Sequence, residues 1–400
     1  MPKKTLIIIT NQFPVQKGEP WLEDEVKYLP PDWNSYVFCI SNTGKTTTEY
    51  PQIGLLPNTY SYKRHWGCFF NKHFLSALFT EAIALIQRGI LWKTIVNSVS
   101  VLMRAYAMAK WFTREYIKQG EEYILYSYWG NENLTMACLV KTMNKNVKVV
   151  CRVHGIDVYE EITHLHHIQF RKFQLQQLSK MFSVSQAGTN YIRNKYSVFA
   201  DKVNTCYLGT EQTNLNAVPN DKRLELVSCA IVRNVKRLHL VIEILQKMKI
   251  PVRWTLAGDG VDFEALKLQS KNLPVNVTTF MPGYLDKEKI KQLFETNPFH
   301  YYISVSATEG IPVAMMESIG YGVPVISTDV GGCNEVVTNE SGTLIPSVFD
   351  TEEISALITN LFTQYEYSIE KRKRVQKEWD KKFNASKNYG EFYRQISLLN

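Results

Sequence analysis

The sequence predicts an α/β protein made of two successive parallel-sheet units. Three observations carry this. At 400 residues the chain exceeds what one ordinary hydrophobic core covers, so two domains of similar size are expected. Short apolar runs alternate with amphipathic stretches through each half, the pattern of parallel strands joined by helical crossovers. Between the halves, Leu208–Lys222 holds Gly209, Thr210, several asparagines and Pro219 and loses apolar periodicity, which marks a boundary.

In the first half Thr5–Ile9, Ser35–Ile40, Tyr123–Tyr128, Lys148–Arg152 and Met181–Val184 read as strands. Leu22–Leu29, Phe74–Ile86, Ile95–Tyr116, Asn133–Met143 and His167–Leu178 read as helices. Ser183-Val184-Ser185 ahead of Tyr191-Ile192 reads as a strand end entering a serine-capped helix. The second half restarts with strands Leu226–Ala230, Arg253–Ala257, Val275–Thr279, Tyr301–Val305 and Pro324–Ser327. Its helices are Leu238–Lys247, Asp262–Gln269, Lys287–Glu295, Val313–Gly320 and Glu352–Tyr365, then Lys371–Lys382 and Tyr389–Leu399. No short-period repeat interrupts them.

Composition removes several classes of function. Seven cysteines, with no C-x-x-C pair, point to reduced thiols in a cytoplasmic compartment and away from a zinc knuckle. The run Leu6–Ile9 is too short for a signal peptide, since Asn11-Gln12 follows at once. No stretch of ~18 apolar residues is present, so no membrane span is expected. The net charge of +8 is concentrated: residues 51–118 hold nine Lys and Arg against Glu81 and Glu115. Trp66, Phe69, Phe70, Phe74, Trp92 and Trp111 lie in the same segment. Basic residues among aromatics suit an anionic membrane surface, or else the solvated faces of core helices. No motif for reading DNA or RNA accompanies them, so nucleic acid is not expected.

The most informative stretch is Ser304–Gly320, SVSATEGIPVAMMESIG. A strand ends near Val305, and Pro312 opens a helix where its missing N–H costs nothing. The amides of Gly310, Ile311 and Val313 then point out of a helix N-terminus at the carboxyl edge of a sheet, a place that favours anions. Glu309 and Glu317 flank it; carboxylates would repel a phosphate but accept hydroxyls from a ribose or sugar diol. The alternative is an ordinary helix with one N-terminal glutamate favoured by the dipole and one solvated glutamate, but Glu317 sits in a helix otherwise almost devoid of charge. A second glycine turn, Asp329-Val330-Gly331-Gly332, follows the next strand and could line the same diphosphate pocket. Lys236, with Arg233 and Arg237 nearby, is a candidate cation for a leaving diphosphate.

Glu309-x7-Glu317 with Gly310, Pro312 and the later Asp-Val-Gly-Gly turn closely resembles the family 4 retaining glycosyltransferases, most strongly from Leu226 to Val337. The resemblance implies a GT-B fold: two Rossmann-like domains facing a cleft, with a C-terminal helix crossing back to the first. The domains would span 1–212 and 213–378, and 379–400 would return. It implies that Glu317 holds the donor ribose, that Glu309 lies beside the donor sugar, and that Gly310, Ile311, Pro312 and Val313 hold sugar and phosphate. Leu256–Gly260 and Phe280–Tyr284, with Gly258 and Gly283, resemble segments lining the nucleotide base. Gln12-Phe13-Pro14 with Gly18-Glu19 resembles the first glycine loop, where an amide approaches the diphosphate. Arg152–Asp157 resembles the family's His-Gly segment, with His154 facing the donor sugar; a lone histidine can equally be structural. One departure is Ile231, where the family usually carries an arginine: either Lys236 with Arg233 or Arg237 neutralises the leaving group, or the phosphate contact is weaker.

These residues imply a donor held by the second domain, an acceptor held by the first, and closure that excludes water. The resemblance implies a retaining transfer from a nucleotide-diphosphate sugar to a saccharide or lipid-linked saccharide, by front-face attack of the acceptor hydroxyl. Neither cofactor nor metal is expected: His164, His166 and His167 do not place three rings on one helix face, and nothing completes a ligand set. Expected partners are the sugar donor, the acceptor and the inner membrane surface. A dinucleotide oxidoreductase would show G-x-G-x-x-G where Thr10–Pro14 stands. A sugar phosphorylase would need a free-phosphate site or a cofactor lysine. A non-catalytic saccharide-binding or regulatory relative would keep the fold without the chemistry.

Overall fold

In the computed structural model the residues described are 4–15, 19–40, 53–55, 66–89, 92–163 and 166–399. They form two compact units, residues 1–207 with 389–400, and residues 208–388. Among the described residues the first unit holds seven strands: β1 (Thr5–Thr10), β2 (Asn34–Cys39), β3 (Ile53–Leu55), β4 (Tyr123–Ser127), β5 (Val147–Val153), β6 (Lys180–Ser183) and β7 (Val203–Thr205). Their order is β3-β2-β1-β4-β5-β6-β7, and every pairing is parallel. All six residues of β1 are buried, as expected of a parallel strand covered on both faces, which therefore reads as an unbroken apolar run.

Helices α1 (Pro20–Glu25), α2 (Lys72–Gln87), α3 (Trp92–Tyr116), α4 (Glu132–Met143), α5 (Arg171–Gln177) and α6 (Gln186–Lys195) belong to this unit. Their starts follow capping chemistry. Asn71 accepts from the amides of His73 and Phe74, Asn131 from Asn133, and Ser185 from Gly188. Helix α5 begins at Arg171, later than the expected His167. His166 and Phe170 both adopt positive φ, and the carboxylate of Glu81 on α2 holds the segment in that shape. It accepts from the Phe170 amide at 2.8 Å and meets His167 Nε2 at 2.8 Å. Tertiary bonds to a buried carboxylate override the helical spacing.

The second unit contains β8 (Leu224–Cys229), β9 (Val252–Ala257), β10 (Val277–Gly283), β11 (Tyr301–Ser304), β12 (Val325–Thr328) and β13 (Gly342–Ile345). Their order is β10-β9-β8-β11-β12-β13, again all parallel. Helices α7 (Leu238–Lys247), α8 (Phe263–Gln269), α9 (Lys287–Thr296), α10 (Val313–Gly320), α11 (Cys333–Val336), α12 (Thr351–Thr363) and α13 (Ile369–Lys382) complete it, and α14 (Ala385–Ser397) leads into residues 389–400 of the first unit. In both sheets the winding reverses beside the first strand, between β1 and β4 and between β8 and β11. Open α/β sheets bind ligands at the carboxyl ends of the strands at such reversals. The core of the second sheet is fixed by Trp254, whose Nε1 donates to Ser228 Oγ, which in turn donates to the Ile303 carbonyl at 2.7 Å.

Candidate functional site

In the second unit the reversal places the loops after β8 and β11 side by side. The Ala307 amide donates to the Val235 carbonyl at 2.8 Å, which ties the two together. Lys236 Nζ then reaches Glu309 Oε1 at 2.5 Å, and Ser306 Oγ donates to the same oxygen at 2.7 Å. Both side chains of the ion pair remain partly accessible, so a ligand can compete for either.

Next to this pair lies the start of α10. Pro312 is its N-cap and supplies no side-chain cap. Among the described residues the amides of Gly310, Ile311, Val313 and Ala314 have no hydrogen-bond partner. Four unsatisfied donors at a helix start are an arrangement that favours an anion. The turn after β12 presses on them from behind, with the Gly332 amide donating to the Gly310 carbonyl at 3.1 Å. A Cβ on Gly331, at φ +55°, would stand 1.7 Å from the Glu309 carbonyl oxygen. The two glycine turns therefore share one surface because only glycine allows their backbones to meet. Gly258 plays the same part beside β8, where a Cβ would lie 1.8 Å from the Ala230 carbonyl oxygen. Gly283, also at positive φ, ends β10, and its carbonyl accepts from the Gly258 amide; the strand runs four residues further than its apolar pattern indicated.

Glu317 is half-buried one turn into α10. Burial pushes the Cys229 thiol, at the end of β8, upward, and the Glu317 charge adds to it; the Tyr302 and Tyr321 hydroxyls feel the same two effects. The carboxylate thus lies near the end of β8, within the same corner of the sheet. Of the three cations near this loop, Arg237 is committed elsewhere. It donates to the carbonyls of Val305, Ser306 and Ser347 at 2.7, 3.1 and 2.9 Å and so pins the end of β11. Arg233 is exposed and lines a hollow of 350 Å³ with Leu238, His239 and Asp262. Ile231 is exposed as well.

The first unit builds its own corner at the ends of β1, β4 and β5. Gly18 lies outside the described residues. In the described part of the same loop Glu19, buried, accepts from the amides of Asn11, Gln12 and Phe13 at 3.2, 3.0 and 2.7 Å, and from Trp129 Nε1. The chain's own carboxylate fills this nest. His154 follows β5, its ring centroid 5.1 Å from that of Tyr128 and 4.4 Å from that of Trp129. Among the described residues neither ring nitrogen has a hydrogen-bond partner. Burial, with the nearby Arg152 charge, lowers its pKa to about 3, so the imidazole is neutral at physiological pH. Asp157 ties His154 to the β4 loop by accepting from the His154 amide and, at 2.5 Å, from the Gly130 amide. Burial raises its carboxyl to about 6. A cavity of 630 Å³ opens at this edge, lined by Asn11, Trp129, Asn131, Ile156, Gln169 and Phe170 among others. Glu19, Trp129 and Ser306 were not singled out from sequence; their roles come from contacts that no local spacing announces.

Residues 211–382 match the family described as glycosyl transferases group 1. The chain is 23% identical over 271 residues to the putative colanic acid biosynthesis glycosyltransferase WcaL of Escherichia coli (strain K12), covering 62% of this chain and 66% of that protein. It is 30% identical over 174 residues to the amylovoran biosynthesis glycosyltransferase AmsK of Erwinia amylovora, covering 40% of this chain and 42% of that one. The chain thus spans less than two thirds of the length of these curated relatives. The crystal structure of Anabaena Alr3699/HepE in complex with UDP superposes with a TM-score of 0.70 over 98% of this chain and 99% of that one, at 14% identity. That likeness covers the fold of the whole chain. The protein therefore has the GT-B fold, and its residues 211–382 match the group 1 glycosyl transferases.

Proposed function

We propose that the chain is a retaining glycosyltransferase that moves a sugar from a nucleotide-diphosphate sugar to a saccharide, lipid-linked acceptor in the assembly of a surface polysaccharide at the inner face of the cell membrane. The observation that carries the reading is the convergence of Lys236, Glu309 and four unpartnered amides at the strand-order reversal of the second sheet. The names of the relatives, which concern colanic acid and amylovoran, and the UDP in the Anabaena protein support it.

In this reading the donor diphosphate lies on the amides of Gly310–Ala314, and its charge draws Lys236 away from Glu309. Released, Glu309 accepts a hydroxyl of the donor sugar while Glu317 accepts the ribose diol. The bond between the anomeric carbon and the phosphate oxygen breaks with its electron pair going to the diphosphate, which the amides and Lys236 stabilise. The acceptor oxygen bonds to the same face of the anomeric carbon, and its proton passes to the departing phosphate oxygen. His154, being neutral, contributes hydrogen bonds to the sugar rather than charge. Amides and one ammonium supply the positive potential that a metal would otherwise provide, so turnover should survive excess chelator.

Thermal shifts with UDP, GDP, ADP, CMP and NAD on wild type and Glu317→Ala test the reading. A ligand at ~100 times its Kd stabilises by about 2.7 kcal/mol, so one nucleoside diphosphate should raise the wild-type Tm and leave the variant unmoved. A shift with NAD alone, or equal diphosphate shifts in both proteins, would overturn the assignment. The anomeric configuration of the product, read by NMR, tests retention separately.

A further inference from the structure

The 630 Å³ cavity at the carboxyl edge of the first sheet has the size of a small-molecule site, and its polar side chains are held in place with bonding capacity to spare. Asn11 Oδ1 accepts from the side-chain amides of Asn131 and Asn133 at 3.2 and 2.7 Å. That fixes the carboxamide and, among the described residues, leaves its Nδ2 free to donate. Gln169 Nε2 donates to the buried Ser98 Oγ at 2.8 Å, which in the same way leaves Oε1 to accept. His167 lines the cavity and is only 6% exposed. Its Nε2 meets the Glu81 carboxylate at 2.8 Å, and among the described residues its Nδ1 has no partner. With the hydrogen on Nε2, Nδ1 offers a lone pair. A buried polar atom without a partner is unfavourable, so a ligand that brings a hydroxyl to it is favoured.

The apolar lining includes Trp129, which is half-buried. Its Nε1 is bound to Glu19 and its ring packs on His154, so the indole is preset as a platform. Charge then narrows the ligand. Among the described residues that line the cavity none is a lysine or arginine, whereas Glu132 and Asp157 are present. Arg104, on the adjoining α3, gives two bonds to Glu132, at 3.1 and 3.0 Å. Arg171 is buried and donates to the carbonyls of Gly130 and Asp157 at 3.1 and 2.6 Å. An anion entering here would meet two carboxylates and cations already engaged. An alkyl chain would leave Asn11, Gln169 and His167 unpaired. A sugar ring offers both an apolar C–H face and hydroxyls. We infer that this cavity binds an uncharged sugar ring, its C–H face on Trp129 and its hydroxyls on Asn11 Nδ2, Gln169 Oε1 and His167 Nδ1, and that it rejects phosphate and uronic acids. Identifying that sugar as the acceptor rests on the transferase reading; its binding does not.

Saturation-transfer NMR on the full chain without nucleotide tests it. The probes are the methyl glycosides of glucose, galactose, mannose and N-acetylglucosamine, methyl glucuronoside, and octyl glucoside below its micelle concentration. At least one neutral methyl glycoside should receive saturation on its ring protons, and the glucuronoside should not. Gln169→Leu, close in size but without the acceptor, should weaken the neutral glycoside by about twofold to tenfold, the effect of one hydrogen bond. Ile156→Lys changes a lining residue that is 67% exposed, so the chain should fold as before, and its cation should let the glucuronoside bind. No transfer to any neutral glycoside, or equal transfer to neutral and acidic ones in wild type, would overturn the inference. So would octyl glucoside saturated on its alkyl protons alone, a folded Gln169→Leu that binds like wild type, or an Ile156→Lys that still rejects the glucuronoside. Melting temperatures without ligand report whether both variants are folded. Sugar binding in a protein that no nucleoside diphosphate stabilises would sink the donor reading and leave this one standing; a diphosphate shift without sugar binding would do the reverse.

Discussion

Single residues decide whether the two corners exist at all. Glu19 satisfies three amides and an indole N–H with one carboxylate. Glu19→Gln leaves one oxygen for four donors and turns an NH₂ toward the rest, so it should cost about 2–3 kcal/mol in urea unfolding. Glu19→Asp, which keeps the charge, should cost less. Gly331→Ala should both destabilise the second unit and abolish the diphosphate shift, because its Cβ would displace the Glu309 carbonyl. His300 is buried, and burial with the Arg372 charge lowers its pKa to about 3. Its Nδ1 accepts from the Glu225 amide at 3.0 Å. Because the unfolded chain protonates near pH 6.5 and the folded chain does not, this contribution is whole above pH 6.5 and is lost on acidification toward 3, at about 1.4 kcal/mol per pH unit. His300→Asn keeps an acceptor and should flatten the decline in stability between pH 6 and 4 by that slope. His154 acts with the same sign; Asp157, raised to about 6, acts with the opposite one, since its contribution falls as pH rises toward 6.

Elements differ in how openly the sequence announces them. Strands β1, β4 and β5 are central, buried on both faces and flanked by turn residues, so their apolar runs suffice. Strands β3, β7 and β13 have three or four residues, too few to show a period, and they exist because a neighbour offers an edge. The start of α10 was legible since Gly310 and Pro312 act through local backbone geometry. Its pairing of Glu309 with Lys236 was not, since 73 residues separate them. The buried Arg152 shows the same limit. It donates to Glu25 on α1, to Tyr126 on β4 and to the Cys206 carbonyl, and lies 4.4 Å from the Phe392 ring of α14. Burial raises the Glu25 carboxyl, and the Arg152 charge opposes this. Arg152→Met alone strands Glu25 in the core and should cost about 3–5 kcal/mol, whereas adding Glu25→Leu should recover most of it. Urea midpoints of the three proteins decide.

At the scale of the molecule the two halves are alike in winding and unlike in chain continuity. The second unit is one unbroken stretch, 208–388, whereas the first is closed by residues 389–400. That closing segment is anchored firmly: Phe392 meets Tyr126 and Phe182, and Lys4 and Lys148 donate to the carbonyls of Ser397 and Leu399. A fragment of residues 208–388 should therefore fold alone and retain the nucleoside diphosphate shift. A fragment of residues 1–207 should expose the Tyr126 and Phe182 rings, bind a hydrophobic dye, and be rescued by a peptide of residues 385–400.

This break in continuity sets a schedule during synthesis. The ribosome finishes the seven parallel strands of the first unit long before it makes the aromatic residues that close them. The intervening 181 residues, 208 through 388, take about 10 to 40 s to translate. Throughout that interval the nascent chain carries an open aromatic face, and the second unit can complete its own folding first. The domain encoded first is thus the last to be finished.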